Sequence, residues 1–378
     1  MPNLVGIGNS QVPTNAMLGG LAYQDSVGEI DIEKIKARTS DTATDVFVYD
    51  TSKDSDGGAW RHRTQNTSWY NEKASATRGA RKEFPSVAVI VAITNGLLIY
   101  DGDDPNLPLW MEWTTTNGTY MLRGTTSGRI AAMNGIIALS NASTYGGMVA
   151  IYLISDTSRS YRQLGSGNKS EGYFIGNGIA ARNDFSANCY SNASGGHVLL
   201  SLVDEDTMDV AMTVLPNAPI DKDTGLPRPS YAVGTDGGAT ILKSHDIKEF
   251  INVDYTNSSS AYRNTDLIQF TEDGGFIFGL THDNGAEQWM YKYDTLGYTD
   301  KTISYHGDGG DLQLMPRRWD SGHATTGVEL YYNDQVNTAG GRTRRLANNG
   351  KILATYYGCL LYTSPSPRDR TRSRMPSS

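Results

Sequence analysis

Apolar and polar positions in this chain fall into short runs that end in glycine or acidic turns. No stretch carries the spacing of a long amphipathic helix. Asp45-Val46-Phe47-Val48-Tyr49-Asp50 leads through a turn to Ala59-Trp60-Arg61-His62-Arg63. Ser86 to Ala92 is apolar almost throughout, as expected of a strand covered on both faces. It meets the turn Thr94-Asn95-Gly96, then Leu97 to Asp101, with Leu109-Trp110-Met111-Glu112-Trp113 as the outer partner. The same wording returns at Gly128 to Met133, Asn134-Gly135, Ile136 to Leu139 and Met148 to Leu153. It returns again at Tyr231 to Gly234, Asp236-Gly237-Gly238 and Ala239 to Leu242. Leu267 to Phe270, Glu272 to Gly275, Phe276 to Leu280 and Gln288 to Asp294 form the last clear instance. Asn-Gly and Asp-Gly between apolar runs signal hairpins, because both central residues of a type I′ turn need positive φ.

Strand-ending aspartates give a repeat length. Asp50 to Asp101 spans 51 residues, Asp101 to Asp156 spans 55, and Asp246 to Asp294 spans 48. Asp156 to Asp246 spans 90, two units if one lies around His197 to Leu215. A period near 50 made of about four short strands predicts an all-β fold, a β-propeller of about 6–7 four-stranded blades. Residues 1–43 read as a short N-terminal arm with a helical stretch near Ile30 to Ala37, and residues 44–357 read as the propeller-like domain.

Residues 358–378 stand apart. The run Cys359-Leu360-Leu361-Tyr362-Thr363-Ser364-Pro365-Ser366-Pro367-Arg368-Asp369 resembles a reading frame through a transposon-type sequencing adapter. Arg370 to Arg372 then resembles its variable barcode, and Ser373 to Ser378 its constant sequence. The resemblance implies a non-native, disordered tail and a domain truncated at its C-terminus.

Setting the tail aside changes the charge. Of 33 basic side chains four lie there, leaving 29; of 41 acidic ones one lies there, leaving 40, a net charge of −11. That disfavours nucleic acid, whose phosphates call for Lys and Arg. Only Cys189 remains of two cysteines, so no disulfide within the chain and no cysteine metal site is expected. The start, Met1-Pro2-Asn3-Leu4-Val5-Gly6, lacks a basic segment followed by an apolar one, and no apolar run approaches the roughly 18 residues of a membrane span. A product made in the cytoplasm, without membrane insertion, is expected.

Catalytic and cofactor motifs are weak. Gly6-Ile7-Gly8 has no third glycine, and Gly165-Ser166-Gly167-Asn168-Lys169-Ser170 carries Asn168 where a phosphate-binding loop needs glycine. His62, His197, His245, His282, His306 and His323 stand singly. Asp101, Asp103 and Asp104, Asp54 and Asp56, or Asp221 and Asp223 could begin a Ca²⁺ site, but a hard cation takes six to eight oxygens and none of these loops has the set. They read as solvated turn aspartates. Trp110, Trp113 and Tyr120 could stack on sugars, yet aromatics also favour strands and fill space between blades. No catalytic, cofactor or metal residue is assigned.

Asp54-Ser55-Asp56-Gly57-Gly58-Ala59-Trp60 resembles the Asp-box hairpin between outer strands of many propellers, sialidase-like ones included. There an aspartate ties the turn and a tryptophan packs beneath it. Here the aromatic comes one residue early and the usual threonine is missing. Gly6 to Asp25 resembles the start of tail-fibre-like structural proteins of marine bacteriophages, and Asp209 to Asp221 with Thr224-Gly225-Leu226-Pro227 resembles a segment of the same proteins. The resemblance implies a virion tail protein, often a homotrimer. Its arm, Pro2 to Asp25, would dock other virion proteins, and its β-rich domain would serve as a rigid spacer or bind a host-surface glycan or protein. The alternative is a glycan-active propeller enzyme, sialidase-like or a depolymerase.

Overall fold

The computed structural model describes residues 43–114, 122, 128–141, 147–161, 171–174, 178–184, 190–192, 202–204 and 206–243, and strand segments 250–254, 262–270, 275–282, 288–294, 301–302, 312–313, 347–348 and 351–352. The expected arm and tail, and the helix expected near Ile30, lie outside the described residues.

The chain is all-β. Its strands are β1 (Ala43–Asp50), β2 (Val87–Ile93), β3 (Gly96–Asp101), β4 (Leu109–Thr114), β5 (Ile130–Met133), β6 (Ile136–Asn141), β7 (Gly147–Tyr152), β8 (Thr157–Tyr161), β9 (Glu171–Phe174) and β10 (Tyr190–Asn192). They continue as β11 (Thr207–Thr213), β12 (Ser230–Thr235), β13 (Gly238–Leu242), β14 (Phe250–Asp254), β15 (Tyr262–Phe270), β16 (Gly275–His282), β17 (Gln288–Asp294), β18 (Lys301–Thr302) and β19 (Leu312–Gln313). A short hairpin, β20 (Ala347–Asn348) and β21 (Lys351–Ile352), follows. One α-helix, α1 (Ser68–Asn71), and 3₁₀ turns at Thr51–Lys53, Ala59–Arg63 and Ile179–Ala181 complete the described elements.

Four sheets hold most of these strands. Sheet one runs β1-β2-β3-β4, and sheet two runs β5-β6-β7-β8 with β9 and β10 added at its edge. Sheet three runs β11-β12-β13-β14-β18, and sheet four runs β15-β16-β17-β19. Neighbouring strands pair antiparallel, as with Val91 opposite Leu98 and Ala138 opposite Ala150, while β18 joins β14 in parallel. The first strands meet in series: β1 lies against β5, β5 and β6 against β11, and β11 and β12 against β15.

This corrects the repeat expected from the aspartates. Asp50 ends β1 and Asp101 ends β3 of one sheet, so they do not bound a unit. Strands that a period near 50 divides between two repeats belong together, and the described residues between 43 and 313 form four such sheets. The physical reason lies in residues 51–86. They form an excursion between β1 and β2 that sends Trp60, Trp69 and Phe84 into the core, each fully buried. Ala59–Arg63, expected as a return strand, is a 3₁₀ turn following two left-handed glycines, Gly57 and Gly58.

Alternation within strands sets the layers. In β2, Ala88, Ile90 and Ala92 join the core shared with sheet two, while Val89, Val91 and Ile93 join an apolar cluster on the opposite face with Val48, Leu98 and Tyr100. Sheet two likewise gives Ile137, Leu139 and Ile151 to the first core, and Ala138, Met148 and Ala150 to a second core shared with Val210, Met212 and Val233 of sheet three. In the first core the rings of Phe84 and Trp110 lie 4.9 Å apart and those of Trp69 and Trp110 5.3 Å apart, both edge to face. Each such pair adds about 1 kcal/mol beyond area burial.

Polar side chains tie the layers at their first strands. Asp45 on β1 accepts the Ile130 N–H of β5 at 2.8 Å, and Asp209 on β11 accepts the Ile268 N–H of β15 at 2.8 Å. Both follow a register irregularity, between Ala43 and Asp45 and between Thr207 and Asp209. Sheets two and three are tied by Thr207, whose hydroxyl accepts the Asn141 N–H at 2.7 Å and donates to the Gly147 carbonyl at 2.7 Å.

Candidate functional site

β1, β5, β7 and β11 all end on one side of the stack, where the excursion 51–86, the β5–β6 turn, the β7–β8 turn and the loop 214–229 converge. The Asn134-Gly135 turn lies at the centre. Its residues have φ of 52° and 72°, the left-handed pair expected for this hairpin. Asn134 donates its N–H to Asp54 Oδ1 at 2.8 Å and its side-chain amide to Ser55 Oγ at 3.0 Å and the Pro227 carbonyl at 3.1 Å. Its side-chain oxygen accepts the Ser55 N–H at 2.9 Å. One residue of sheet two thus links the excursion of sheet one to the long loop of sheet three.

Asp54 is the buried anchor of this linkage. Besides Asn134 it accepts the Tyr49 hydroxyl at 2.5 Å and the Trp60 indole N–H at 2.7 Å. Burial pushes its carboxyl up to about 6, against the donors, whose hydrogen bonds favour the anion. Burial, then the Asp54 charge, pushes the Tyr49 phenol well above its usual range. The aspartate and tryptophan of the Asp-box-like sequence do tie their turn together. The turn lies between the first two strands of a sheet, however, and not between outer strands.

Next to it, Asp156 holds α1 and the segment 178–181. Its carboxylate accepts the Ser68 N–H at 2.6 Å, the Ser68 hydroxyl at 2.8 Å and the Ile179 N–H at 2.8 Å. Buried Arg182 reaches the Glu72 carboxylate at 2.7 Å and the carbonyls of Glu112 at 2.7 Å and Thr77 at 2.8 Å. Buried Arg78 lies 4.7 Å over the Trp110 ring and donates to the Trp110 carbonyl at 2.9 Å. Burial lowers its guanidinium to about 10, so it remains charged at neutral pH.

A cleft of about 160 Å³ opens beside this linkage. Ile136 and Ile154 form one side with Tyr152 and Arg159, and the segment Asp221 to Pro229 forms the other. The Tyr152 hydroxyl lies 3.1 Å from that of Tyr161 and 3.4 Å from that of Tyr231, so the cleft wall continues into the second core. Opposite, Arg228 Nε donates to Asp221 Oδ2 at 3.1 Å, and Asp221 Oδ1 accepts the N–H groups of Asp223 at 2.8 Å and Thr224 at 3.1 Å. Burial would raise the Asp221 carboxyl, but these N–H groups and the Arg228 charge outweigh it and hold the group below the usual carboxylate range.

No known protein family and no curated protein matches the chain. The functional reading therefore rests on the residues themselves.

The sequence-level candidates separate clearly. Trp110 and Trp113 are fully buried, which removes them as sugar platforms, and Tyr120 lies outside the described residues. Asp101 takes two hydrogen bonds from Arg81, at 2.7 and 2.8 Å. Asp103 accepts the Val87 N–H at 2.9 Å and the Ser86 hydroxyl, and Asp104 accepts the Asn106 N–H at 2.8 Å. Asp54 turns into the core, while Asp56 faces Arg63 at 2.6 Å. Among the described residues no three His, Cys, Asp or Glu side chains gather as metal ligands, and no helix is long and apolar enough to cross a membrane. His62 is exposed beside Glu83 at 3.1 Å. Sequence reading missed Asn134 as a linking residue and missed Asp45 and Asp209 as ties. The signal was present: Thr44-Asp45-Val46 and Met208-Asp209-Val210 both place an aspartate before the apolar run of a first strand.

Proposed function

We propose that residues 44–357 form a β-propeller that serves as a rigid module of a bacteriophage tail, either a spacer or a host-surface-binding element, with the arm at residues 1–43 as its virion attachment. The observation that carries the propeller is the apolar character of both faces of sheet one. Sheet two covers one face. The other carries Val48, Val89, Val91 and Leu98, none more than 2% exposed. In a ring, the last blade returns to cover that face, and successive blades meet through their first strands, as β1, β5, β11 and β15 do. On this reading the four sheets are consecutive blades.

The structural role is supported by how the buried charges are used. Asp45, Asp54 and Asp209 accept backbone N–H groups from a neighbouring sheet, and Arg78 and Arg182 donate to carbonyls. The aspartate contacts fix the relative positions of sheets and the arginine contacts brace the loops against their strands, which suits a module that must hold its shape. The virion assignment is supported by the resemblance of residues 6–25 and 209–227 to tail-fibre-like proteins.

Electron microscopy of the purified chain tests the ring: a disc with a central channel is expected, and an open stack overturns it. Long-read sequencing of the source DNA tests the virion role. Tail or capsid genes beside this one are expected, whereas carbohydrate-processing neighbours together with turnover of a bacterial glycan by the purified chain would give the enzyme reading precedence.

A further inference from the structure

We propose that the cleft between the β7–β8 turn and the loop 214–229 binds one neutral sugar ring, presented by a host-surface glycan. The proposal rests on the host-surface-binding form of the reading above and names its site.

Size is the first argument. At about 160 Å³ the cleft is below the roughly 300–1,000 Å³ of pockets for drug-sized ligands, so it suits one ring and not an extended chain. Chemistry is the second. Ile136, Ile154 and Pro227 offer carbon surface for the C–H face of a pyranose. Arg228 and Asp221, 3.1 Å apart, place a donor beside an acceptor. Adjacent ring hydroxyls match such a pair: one accepts from a guanidinium N–H and its neighbour donates to the carboxylate. Capacity for this exists on both partners. A guanidinium has five N–H groups and a carboxylate about four acceptor positions. Arg228 donates through Nε, and Asp221 accepts three hydrogen bonds. The exposed Asp223 adds a further acceptor at the rim.

Rigidity is the third argument. The loop is held by main-chain hydrogen bonds from Asp221 N–H to the Leu226 carbonyl, Gly225 N–H to the Asp221 carbonyl and Arg228 N–H to the Pro219 carbonyl, at 2.8, 2.8 and 2.9 Å. Leu226 is inserted into the core between sheets one and two, and Asn134 holds the Pro227 carbonyl. A site already ordered loses less entropy on binding. Charge is the fourth. Arg159 and Arg228 balance Asp221 and Asp223 in the lining, so a neutral ring fits better than an acidic sugar.

The test is saturation-transfer NMR on the full chain with the methyl pyranosides of glucose, galactose, mannose and N-acetylglucosamine, and with N-acetylneuraminic acid as the anionic comparison. Millimolar binding of at least one neutral pyranoside is expected. Arg228→Ala should weaken it about ten-fold. Ser155→Trp, which fills the cleft from an exposed position and leaves the Arg228–Asp221 pair intact, should abolish it. Absence of any neutral-ring signal, preference for N-acetylneuraminic acid, or binding unchanged in both variants overturns the proposal. An array of bacterial surface polysaccharides separates this from the parent reading. Array binding that survives Ser155→Trp sinks the cleft and keeps the host-surface module. Pyranoside binding without array binding keeps the cleft and sinks the host-surface role.

Discussion

Asp54-Ser55-Asp56 and Asp221-Lys222-Asp223 are the same pattern in two environments. The Asp54 carboxylate accepts one backbone N–H and two side-chain donors, and the Asp221 carboxylate accepts two backbone N–H groups and Arg228, yet burial raises the first to about 6 while the second is held below its ordinary range. Asp54 lies among Tyr49, Trp60 and Asn134 with no cation in contact among the described residues; Asp221 lies at a half-exposed rim with Arg228 beside it. The same Asp-x-Asp spacing thus gives a core anchor in one place and a solvent-facing polar pair in the other. Depth and the neighbouring cation decide which, because a buried anion loses hydration that hydrogen bonds only partly replace.

The comparison breaks most severely at Asp54. Asp54→Ala leaves the Tyr49 hydroxyl, the Trp60 indole N–H and the Asn134 N–H without their acceptor, and a loss of about 3 kcal/mol in urea denaturation is expected. A change below about 1 kcal/mol would mean that those three donors find water or other acceptors once the carboxylate is gone. The pH dependence sharpens the contrast. A carboxyl raised from 3.8 to about 6 in the folded state takes up its proton before the unfolded chain does. Its contribution is full below about pH 4 and is lost as pH rises through about 6, a difference of about 3 kcal/mol. Asp54→Asn should remove that window from the stability profile.

Asp209→Ala tests whether the tie between first strands matches the anchor. It removes the acceptor of the Ile268 N–H between sheets three and four, and a loss of about 2 kcal/mol is expected by thermal or urea melting. Gly135→Ala probes the turn on which the excursion and the cleft both rest. A Cβ there would meet Ile154 at 3.1 Å and the Trp60 ring at 3.2 Å, at a φ of +72°, so a loss of about 1–2 kcal/mol should follow. Asp221→Asn is expected to have the smallest effect, under about 1 kcal/mol near neutral pH, because its Arg228 pair is solvated. Its pH dependence has the opposite sign to that of Asp54. Stability from Asp221 is present above its ordinary carboxylate pKa and is lost as pH falls through its lowered folded value. Equal signs for the two variants in an acid titration would refute the comparison.

Most strands were legible in the sequence. Ser86 to Ala92 and Leu97 to Asp101 read directly as a buried hairpin, within a residue of the strands Val87–Ile93 and Gly96–Asp101, and the Asn134-Gly135 turn followed from the positive φ that both positions need. The middle turn of sheet one was legible only in part. Gly96 lies inside β3, where a Cβ would collide with the Trp113 carbonyl of β4, and the loop itself is Thr94-Asn95. The excursion was misread because the alternation near Ala59–Arg63 resembles a strand, while Gly58 and the burial of Trp60 favour a 3₁₀ turn. The cleft was not legible, because its two walls lie more than 60 residues apart, at Ile154 and Asp221.

By itself, the sequence determined the all-β class and the position of most strands, including that Ser86 to Ala92 is covered on both faces. Those properties depend on alternation and turn chemistry over a few residues. Only the tertiary structure decided that β1 pairs with β2 across the excursion, that Asp45, Asp54 and Asp209 hold neighbouring sheets, and that Asp221 faces a cleft. Pairing partners and burial are set by packing among segments far apart in the chain, and no short window of sequence contains both sides of such a contact.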